Sequence, residues 1–296
     1  MLLTIPKYIY WIARGRRQDI VQVYNSLVHL IELANGGLTL NRGYWDIDTQ
    51  NPLEAQHKLC KLIGKFADFD SAKTLLDTGS GFSSPASIWN KLYCFENLIC
   101  IDINPNLLKA AIKGEQLYTE GRKNHISFVN GTSTQLPIAN ESISRIVALE
   151  SIHHFRPLNA FISECRRVLE PDGNLVIATP VKFRRYWAIS GAITDFIKLG
   201  IVSFLMSSKN YGLEFLESML KSNGFEIREK DIVLIGSHVY NQVTEYYLRN
   251  RELLRERFAK DYPSMLEYIL CRSVLNTNDA YNRGLIDYAL IRCLRR

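Results

Sequence analysis

A short apolar run leads into an acidic residue and two glycines in the stretch Leu75-Leu76-Asp77-Thr78-Gly79-Ser80-Gly81. Such a run, bounded by turn residues, predicts a buried β-strand that ends near Asp77. Glycine lets the backbone turn sharply and approach a ligand closely. The Gly79-Ser80-Gly81 segment therefore fits two interpretations, a structural strand-to-helix turn or a loop that holds a cofactor.

Apolar runs and helical patterns alternate along the chain on both sides of this loop. The predicted strands cover residues 74–77, 98–102, 126–129, 144–149, 174–179, 225–235 and 285–293. Helical patterns at 106–120 and 158–169 lie between them, and Pro171-Asp172-Gly173 predicts a turn before the fifth strand. Short apolar strands separated by helices predict an α/β fold whose parallel sheet is covered on both faces.

The remaining segments predict additions to this sheet. Residues 1–70 carry helical patterns and are expected to form an N-terminal helical cap or lid on a domain that spans 71–296. Two insertions are expected in that domain, an apolar one at 183–208 and a charged, helical one at 236–280. The apolar insertion fits a cover over the substrate, a membrane-surface contact or a helix pair buried against the core.

Composition sets broad limits on the class of protein. The 296 residues are 47% hydrophobic and 22% charged, as in an ordinary globular protein that needs no disulfide or metal for its core. The net charge of +6 fits an anionic ligand, an anionic membrane surface or nucleic acid, and identifies none of them. The six cysteines form no C-x-x-C pair, which argues against a zinc ribbon or a thioredoxin-like motif. Most of them lie among apolar residues, which favours buried thiols in a reducing, cytoplasmic compartment. We expect no signal peptide and no metal site.

A second acidic residue narrows the choice of cofactor. Asp102 ends the next predicted strand, about 20 positions beyond the loop, where a carboxylate can accept hydrogen bonds from a ribose diol. A helix N-cap is the alternative interpretation. Dinucleotide loops usually carry a third glycine, where this chain has Ser84, and the carboxylate of Asp77 would repel a pyrophosphate. Because the same carboxylate attracts a cationic ammonium group, the pattern favours S-adenosyl-L-methionine.

Five motifs, in order, resemble those of the class I S-adenosylmethionine-dependent methyltransferases. They are Leu75-Leu76-Asp77-Thr78-Gly79-Ser80-Gly81, Ile101-Asp102-Ile103-Asn104, Gly131-Thr132-Ser133-Thr134-Gln135-Leu136-Pro137, Ala148-Leu149-Glu150-Ser151-Ile152-His153-His154-Phe155 and Arg167-Val168-Leu169-Glu170-Pro171-Asp172-Gly173. The resemblance covers residues 75–179 well and the last strands loosely. It implies a doubly wound, Rossmann-like, seven-stranded and mostly parallel sheet, with S-adenosyl-L-methionine as cofactor and S-adenosyl-L-homocysteine as product.

The resemblance also implies which residues contact the cofactor. On the matched motifs these are Asp77, Gly79, Ser80, Gly81, Asp102, Ile103, Asn104, Gly131, Thr132, Ser133 and Glu150. Residues 37–46 are similar to the G-Y-W segment of small-molecule methyltransferases, which implies that Tyr44 and Trp45 fold over the cofactor. The alternative is that both are core aromatic residues. Thr132 replaces an acidic residue that usually contacts the adenine amino group, although a threonine hydroxyl can also accept a hydrogen bond.

Three residues near the end of the fourth predicted strand are candidates for the catalytic role. His153 and His154 suit a general base that removes the proton of a hydroxyl acceptor, because histidine titrates near neutral pH. The alternative is that one histidine packs and the other bonds to the backbone. Glu150 is expected to hold the methionine end of the cofactor or a substrate group, or else to be a structural hydrogen-bond acceptor.

These observations predict a methyltransferase that acts on a small, apolar or lipid-like molecule, with O-methylation favoured over C- or N-methylation. One alternative is a cyclase or binding protein that keeps the fold without methylating. The other is an RNA methyltransferase, which would require an aromatic motif where this chain has Glu150-Ser151-Ile152-His153-His154. We expect no nucleic-acid partner. A peripheral membrane contact and a homo-oligomer are left open.

Overall fold

The computed structural model describes residues 40–118, 125–183, 211–262 and 264–296. It also describes six separate residues of the N-terminal part, which are Gln18, Val21, Gln22, Tyr24, Asn25 and Leu33. Beyond Phe183, the predicted apolar insertion at 183–208 lies outside the described residues, as do residues 1–39 of the predicted N-terminal helical region except the six named above. The predicted division at residue 70 stays a prediction.

Helices and strands alternate along most of the described chain. In chain order they are α1 (Pro52–Phe66), β1 (Thr74–Thr78), α2 (Ser84–Leu92), β2 (Asn97–Asp102), α3 (Pro105–Tyr118), β3 (Ile126–Asn130), β4 (Ile143–Leu149), α4 (Leu158–Val168), β5 (Leu169–Lys182), α5 (Leu213–Ser222), β6 (Phe225–Glu226), β7 (Ile232–Leu234), α6 (Gln242–Arg249), α7 (Arg251–Ala259), α8 (Ser264–Asn282) and β8 (Ile286–Arg295). A π-helix at Ser237–Asn241 precedes α6. None of the described helices combines the length and the apolar composition of a membrane span.

The strands form one mostly parallel sheet, which confirms the predicted fold class. Their order is β3-β2-β1-β4-β5-β8-β6, and β7 also pairs with β8. Strands β1 to β5 run parallel, whereas β8 is antiparallel to its neighbours. The predicted strand at 225–235 is two short strands, because a 3₁₀ turn at Glu229–Asp231 interrupts it. The buried Asp231 accepts hydrogen bonds from Arg228 and Arg292 and holds this turn in place.

Helices cover both faces of the sheet, as a doubly wound fold requires. Successive strand side chains point to opposite faces, and accordingly Leu75 and Leu76 belong to two different core clusters. Trp89 of α2 lies in the first cluster, and Phe161 of α4 with Leu216 of α5 lies in the second. All five side chains are buried.

The predicted turn at 171–173 is a bulge within β5. Ile143 pairs with Leu169 and Arg145 pairs with Asn174, so residues 170–173 are looped out of the ladder. Asp172 has a φ of 61°. The strand therefore begins earlier than the sequence predicts, at Leu169.

The topology fixes where a ligand can bind. The chain leaves β1 toward β2 and β3 on one side, and β4 and β5 lie on the other. The strand order thus reverses between β1 and β4. In open parallel sheets, ligands bind in the crevice beyond the carboxyl ends of strands at such a reversal.

Candidate functional site

A cavity of about 420 Å³ opens at the carboxyl ends of β1, β2 and β4. It brings together twelve of the fifteen candidate residues that the sequence predicts. They are Asp77, Gly79, Ser80, Gly81, Asp102, Ile103, Asn104, Gly131, Thr132, Ser133, Glu150 and His154. Tyr44, Trp45 and His153 are not among the described residues that line this cavity.

The glycine loop turns sharply against the end of β2. The backbone N–H groups of Gly79 and Ser80 both donate to the carbonyl of Ile101, at 2.8 and 3.1 Å. Gly79 has a φ of 70°, and a β-carbon there would lie 2.6 Å from the β-carbon of Ser151. Only glycine fits this position, because it combines a left-handed backbone with a close approach to the segment after β4.

The carboxylate of Asp102 ties the glycine loop to the next helix. Its Oδ2 accepts a hydrogen bond from the N–H of Gly81 at 2.8 Å, and its Oδ1 accepts one from the N–H of Asn104 at 2.7 Å. Burial raises the pKa of Asp102, and these N–H groups partly offset that rise. A carboxylate has about four acceptor positions in all, so Asp102 retains capacity to accept bonds from a ligand.

Asp77 is a buried carboxylate with an unsatisfied oxygen. It is 2% exposed, and among the described residues its Oδ2 has no hydrogen-bond partner. Burial, and then the negative charge of Asp102, raises the pKa of Asp77 to about 8. A cation bound beside this oxygen would stabilise the ionised carboxylate.

The third strand contributes the far wall of the cavity. The N–H of Gly131 donates to the carbonyl of Asp102 at 3.0 Å, which places the Gly131-Thr132-Ser133 turn beside the end of β2. The Oγ1 of Thr132 lies 2.9 Å from the Oγ1 of Thr134 and accepts a hydrogen bond from its N–H at 3.3 Å. The hydroxyl that stands at the position of the family's acidic residue is therefore already engaged by a neighbour.

Glu150 is held by a network that the sequence did not indicate. Its oxygens accept hydrogen bonds from the Arg42 N–H at 2.6 Å, from Arg42 Nη1 at 2.9 Å and from the Tyr288 hydroxyl at 3.1 Å. Glu150 itself has a φ of 49°, and its N–H donates to the carbonyl of Ala178 at 2.8 Å. Arg42 directly precedes Gly43-Tyr44-Trp45, and no local pattern in the sequence links it to Glu150, which is 108 residues away.

The two histidines occupy different environments. Both lie on a short 3₁₀ helix at Ile152–His154, and their ring centroids are 4.0 Å apart. His154 lines the cavity, and its Nε2 lies 2.7 Å from the hydroxyl of Tyr24. His153 is 3% exposed. Tyr24 falls within the helical patterns of residues 1–70, and nothing in the sequence marks it as a site residue.

The aromatic pair of the G-Y-W segment lies to one side of this cavity. The ring of Tyr44 stacks on that of His238 at 4.4 Å, and its N–H donates to the carbonyl of Ala55 at 2.8 Å. Trp45 is 3% exposed, and its N–H donates to the carbonyl of His238 at 2.8 Å. These contacts correspond to the alternative in which both residues are packed aromatic residues.

The crevice at the strand reversal, with its glycine loop and two buried carboxylates, defines a Rossmann-like protein with a site for a small organic cofactor. Residues 76–177 match the family model described as a methyltransferase domain. The Erythromycin 3''-O-methyltransferase of Saccharopolyspora erythraea is 27% identical to this chain over 176 residues, which are 60% of this chain and 57% of that protein. The chain spans 57 to 66% of the length of the curated relatives of this kind that it matches.

Solved structures agree with this assignment at the level of the fold. The cyclase SpnF is 20% identical, with a TM-score of 0.71 over 94% of this chain and 95% of its own. The mycolic acid cyclopropane synthase CmaA1, in a complex with S-adenosylhomocysteine, is 16% identical, with a TM-score of 0.73 over 90% of this chain and 94% of its own. The chain is thus similar to methyltransferases in sequence over residues 76–177, and it shares the fold of class I S-adenosylmethionine-dependent methyltransferases.

Proposed function

We propose that this chain transfers a methyl group from S-adenosylmethionine to a small, largely apolar molecule, with an oxygen as the favoured acceptor atom. The observation that carries the proposal is the buried, unsatisfied Oδ2 of Asp77 in a cavity that also holds Asp102 and the glycine loop. A buried acceptor without a donor is costly. An ammonium group of a ligand would satisfy it and stabilise the charge of Asp77.

The lining of the cavity fits the other parts of the cofactor. When bound, S-adenosylmethionine supplies a methyl group on a positively charged sulfur, which keeps the electron pair of the breaking carbon–sulfur bond. In this proposal Asp102 and Asn104 hold the ribose hydroxyls, and the backbone of Ser80 and Gly81 approaches the methionine portion. Gly131, Thr132, Ser133 and Ile103 surround the adenine ring. The engaged hydroxyl of Thr132 makes adenine recognition depend on the neighbouring backbone and on packing.

We assign the general base to His154 rather than to His153. His154 lines the cavity, whereas His153 is 3% exposed and absent from the described lining. For a hydroxyl acceptor, the oxygen–carbon bond forms as the proton of the hydroxyl passes to His154. Glu150 is a positioning residue in this proposal, because its two oxygens already accept three hydrogen bonds.

Two further observations support a small-molecule acceptor. Apolar side chains, among them Leu40, Phe82, Leu107 and Phe155, line part of the cavity. The relative from Saccharopolyspora erythraea is named for the O-methylation of a small molecule. Pockets with apolar walls and a few placed polar groups are typical of small-molecule sites.

A radiochemical assay tests this function. The chain is first titrated with S-adenosylhomocysteine, and then incubated with S-adenosylmethionine labelled in the methyl group and with fractionated metabolites. We expect label in an organic-extractable fraction, and His154→Ala should keep its affinity for S-adenosylhomocysteine while losing most of the transfer to oxygen. Binding without any transfer would favour the cyclase or binding-protein alternative. Label in RNA would favour the alternative of an RNA methyltransferase. Full transfer by His154→Ala would refute the base assignment.

A further inference from the structure

A second cavity of about 240 Å³ lies beside the first. Leu40, Asn41 and Glu150 line both cavities, so the two adjoin at these residues. The other walls come from residues 42–56, the π-helix, α6 and α8. Apart from Glu150 and Trp45, none of the residues that the sequence predicts to contact the cofactor or to transfer a proton is among its described lining residues.

The walls of the second cavity are mostly apolar and aromatic. They include Trp45, Val239, Tyr240, Val243, Tyr247, Leu270 and Val274. An apolar protein cavity of about 150 Å³ holds benzene. The larger volume here therefore accommodates a substituted or two-ring compound.

The charges on the walls compensate each other. Arg42 and Glu150 are the charged residues among the described lining, and they form an ion pair at 2.9 Å. The guanidinium of Arg42 also lies 5.9 Å from the ring centroid of Tyr240. Because burial of an unpaired charge is costly, this cavity favours a neutral ligand.

Asn41 supplies an unused hydrogen-bond acceptor where the cavities meet. The residue is 6% exposed, its Nδ2 donates to the main-chain carbonyl of Arg42 at 2.6 Å, and its main-chain carbonyl accepts from Gln56 Nε2 at 2.8 Å. Among the described residues, its Oδ1 has no hydrogen-bond partner. The first bond orients the side chain and the second holds the backbone, so the side-chain oxygen can select a donor on a ligand.

We propose that the second cavity holds the apolar body of the methyl acceptor, a neutral hydroxy compound larger than benzene, and that Asn41 Oδ1 accepts a hydrogen bond from one of its hydroxyls. The other end of the acceptor then extends past Leu40 and Glu150 into the cofactor cavity. This inference rests on the proposed function, which supplies the reason for two adjoining sites.

The inference is tested with two probes, 2-naphthol and naphthalene, which differ by one hydroxyl. The affinity for each probe is measured in the presence of saturating S-adenosylhomocysteine. Val274→Trp fills the second cavity and should weaken the binding of both probes at least tenfold, with an affinity for S-adenosylhomocysteine within twofold of wild type. Asn41→Leu should lower the ratio of 2-naphthol affinity to naphthalene affinity about tenfold, since a buried hydroxyl loses its acceptor. The control is Arg272→Trp, on the exposed side of α8, which should bind like wild type.

Each outcome supports or overturns the inference. Unchanged probe binding by Val274→Trp, or an unchanged affinity ratio in Asn41→Leu, overturns it while the proposed function stands. If wild type fails to bind S-adenosylhomocysteine, the proposed function itself fails and the inference falls with it. Should Val274→Trp not fold, the smaller Val274→Leu replaces it, and a graded loss of probe affinity is then the supporting result.

Discussion

A rise in pH is expected to strengthen the binding of S-adenosylhomocysteine through the ionisation of Asp77. Burial and the charge of Asp102 raise the pKa of Asp77 to about 8, so the unliganded carboxyl is mostly protonated below neutral pH. An ammonium group favours the ionised form. Binding below this pKa therefore releases a proton, and affinity must increase as the pH rises toward 8.

The size of the effect follows from the fraction of ionised Asp77. With a pKa of about 8, that fraction is roughly 0.3% at a pH of about 5.5 and roughly 9% at a pH of about 7.0. The dissociation constant should accordingly fall about thirtyfold between these two values. Over this range an α-amino group remains mostly protonated, because its ordinary pKa is about 8.

Isothermal titration calorimetry in two buffers of different ionisation enthalpy measures both the affinity and the proton release. Asp77→Asn removes the titrating group and should bind with little dependence on pH. 5′-Methylthioadenosine, which lacks the amino-acid portion, should show the same flat profile with wild type. A steep pH dependence that persists in Asp77→Asn would show that another group titrates, and the placement of the ammonium beside Asp77 would then be wrong.

Three further substitutions test the site. Asp102→Ala should weaken the binding of S-adenosylhomocysteine roughly a hundredfold by calorimetry, because two charge-assisted hydrogen bonds and the loop geometry are lost; unchanged affinity would contradict the ribose assignment. Gly79→Ala should lower the free energy of unfolding by about 1–3 kcal/mol in urea denaturation, whereas the control Gly114→Ala in α3, where a β-carbon has open space, should raise it by up to about 1 kcal/mol. Arg42→Ala should lower it by about 1–3 kcal/mol, and much of that loss should disappear in a Glu150→Gln background.

The sequence predicted most reliably those features that short stretches of residues determine by themselves. A strand that ends in Asp77, followed by a glycine turn and by Asp102 about 20 residues later, predicts a cofactor site because parallel strands end at one edge of the sheet. The structure brings these residues to one cavity. The alternation of strands and helices predicted the sheet for the same reason, since each short apolar run must be buried on both faces.

The sequence did not predict which side chains pair over long distances along the chain. Arg42 and Glu150 are 108 residues apart, and Tyr24 and His154 are 130 apart. No periodic pattern reports such pairs, because each partner is set by how separate elements pack. The interruption of the strand at 225–235 has the same origin, since Asp231 turns the chain there through its bonds to Arg228 and to the distant Arg292.

Residue 150, just after β4, is a glutamate although its backbone has a conformation that glycine adopts more easily. A non-glycine residue with a φ of 49° stores backbone strain of about 1–3 kcal/mol. The hydrogen bond from its N–H to Ala178 and the three bonds to its carboxylate offset that strain. A glycine would remove the strain but would release Arg42, both at its backbone and at its guanidinium. Because Leu40 and Asn41 directly precede Arg42 and line both cavities, the ion pair fixes the boundary between the two cavities.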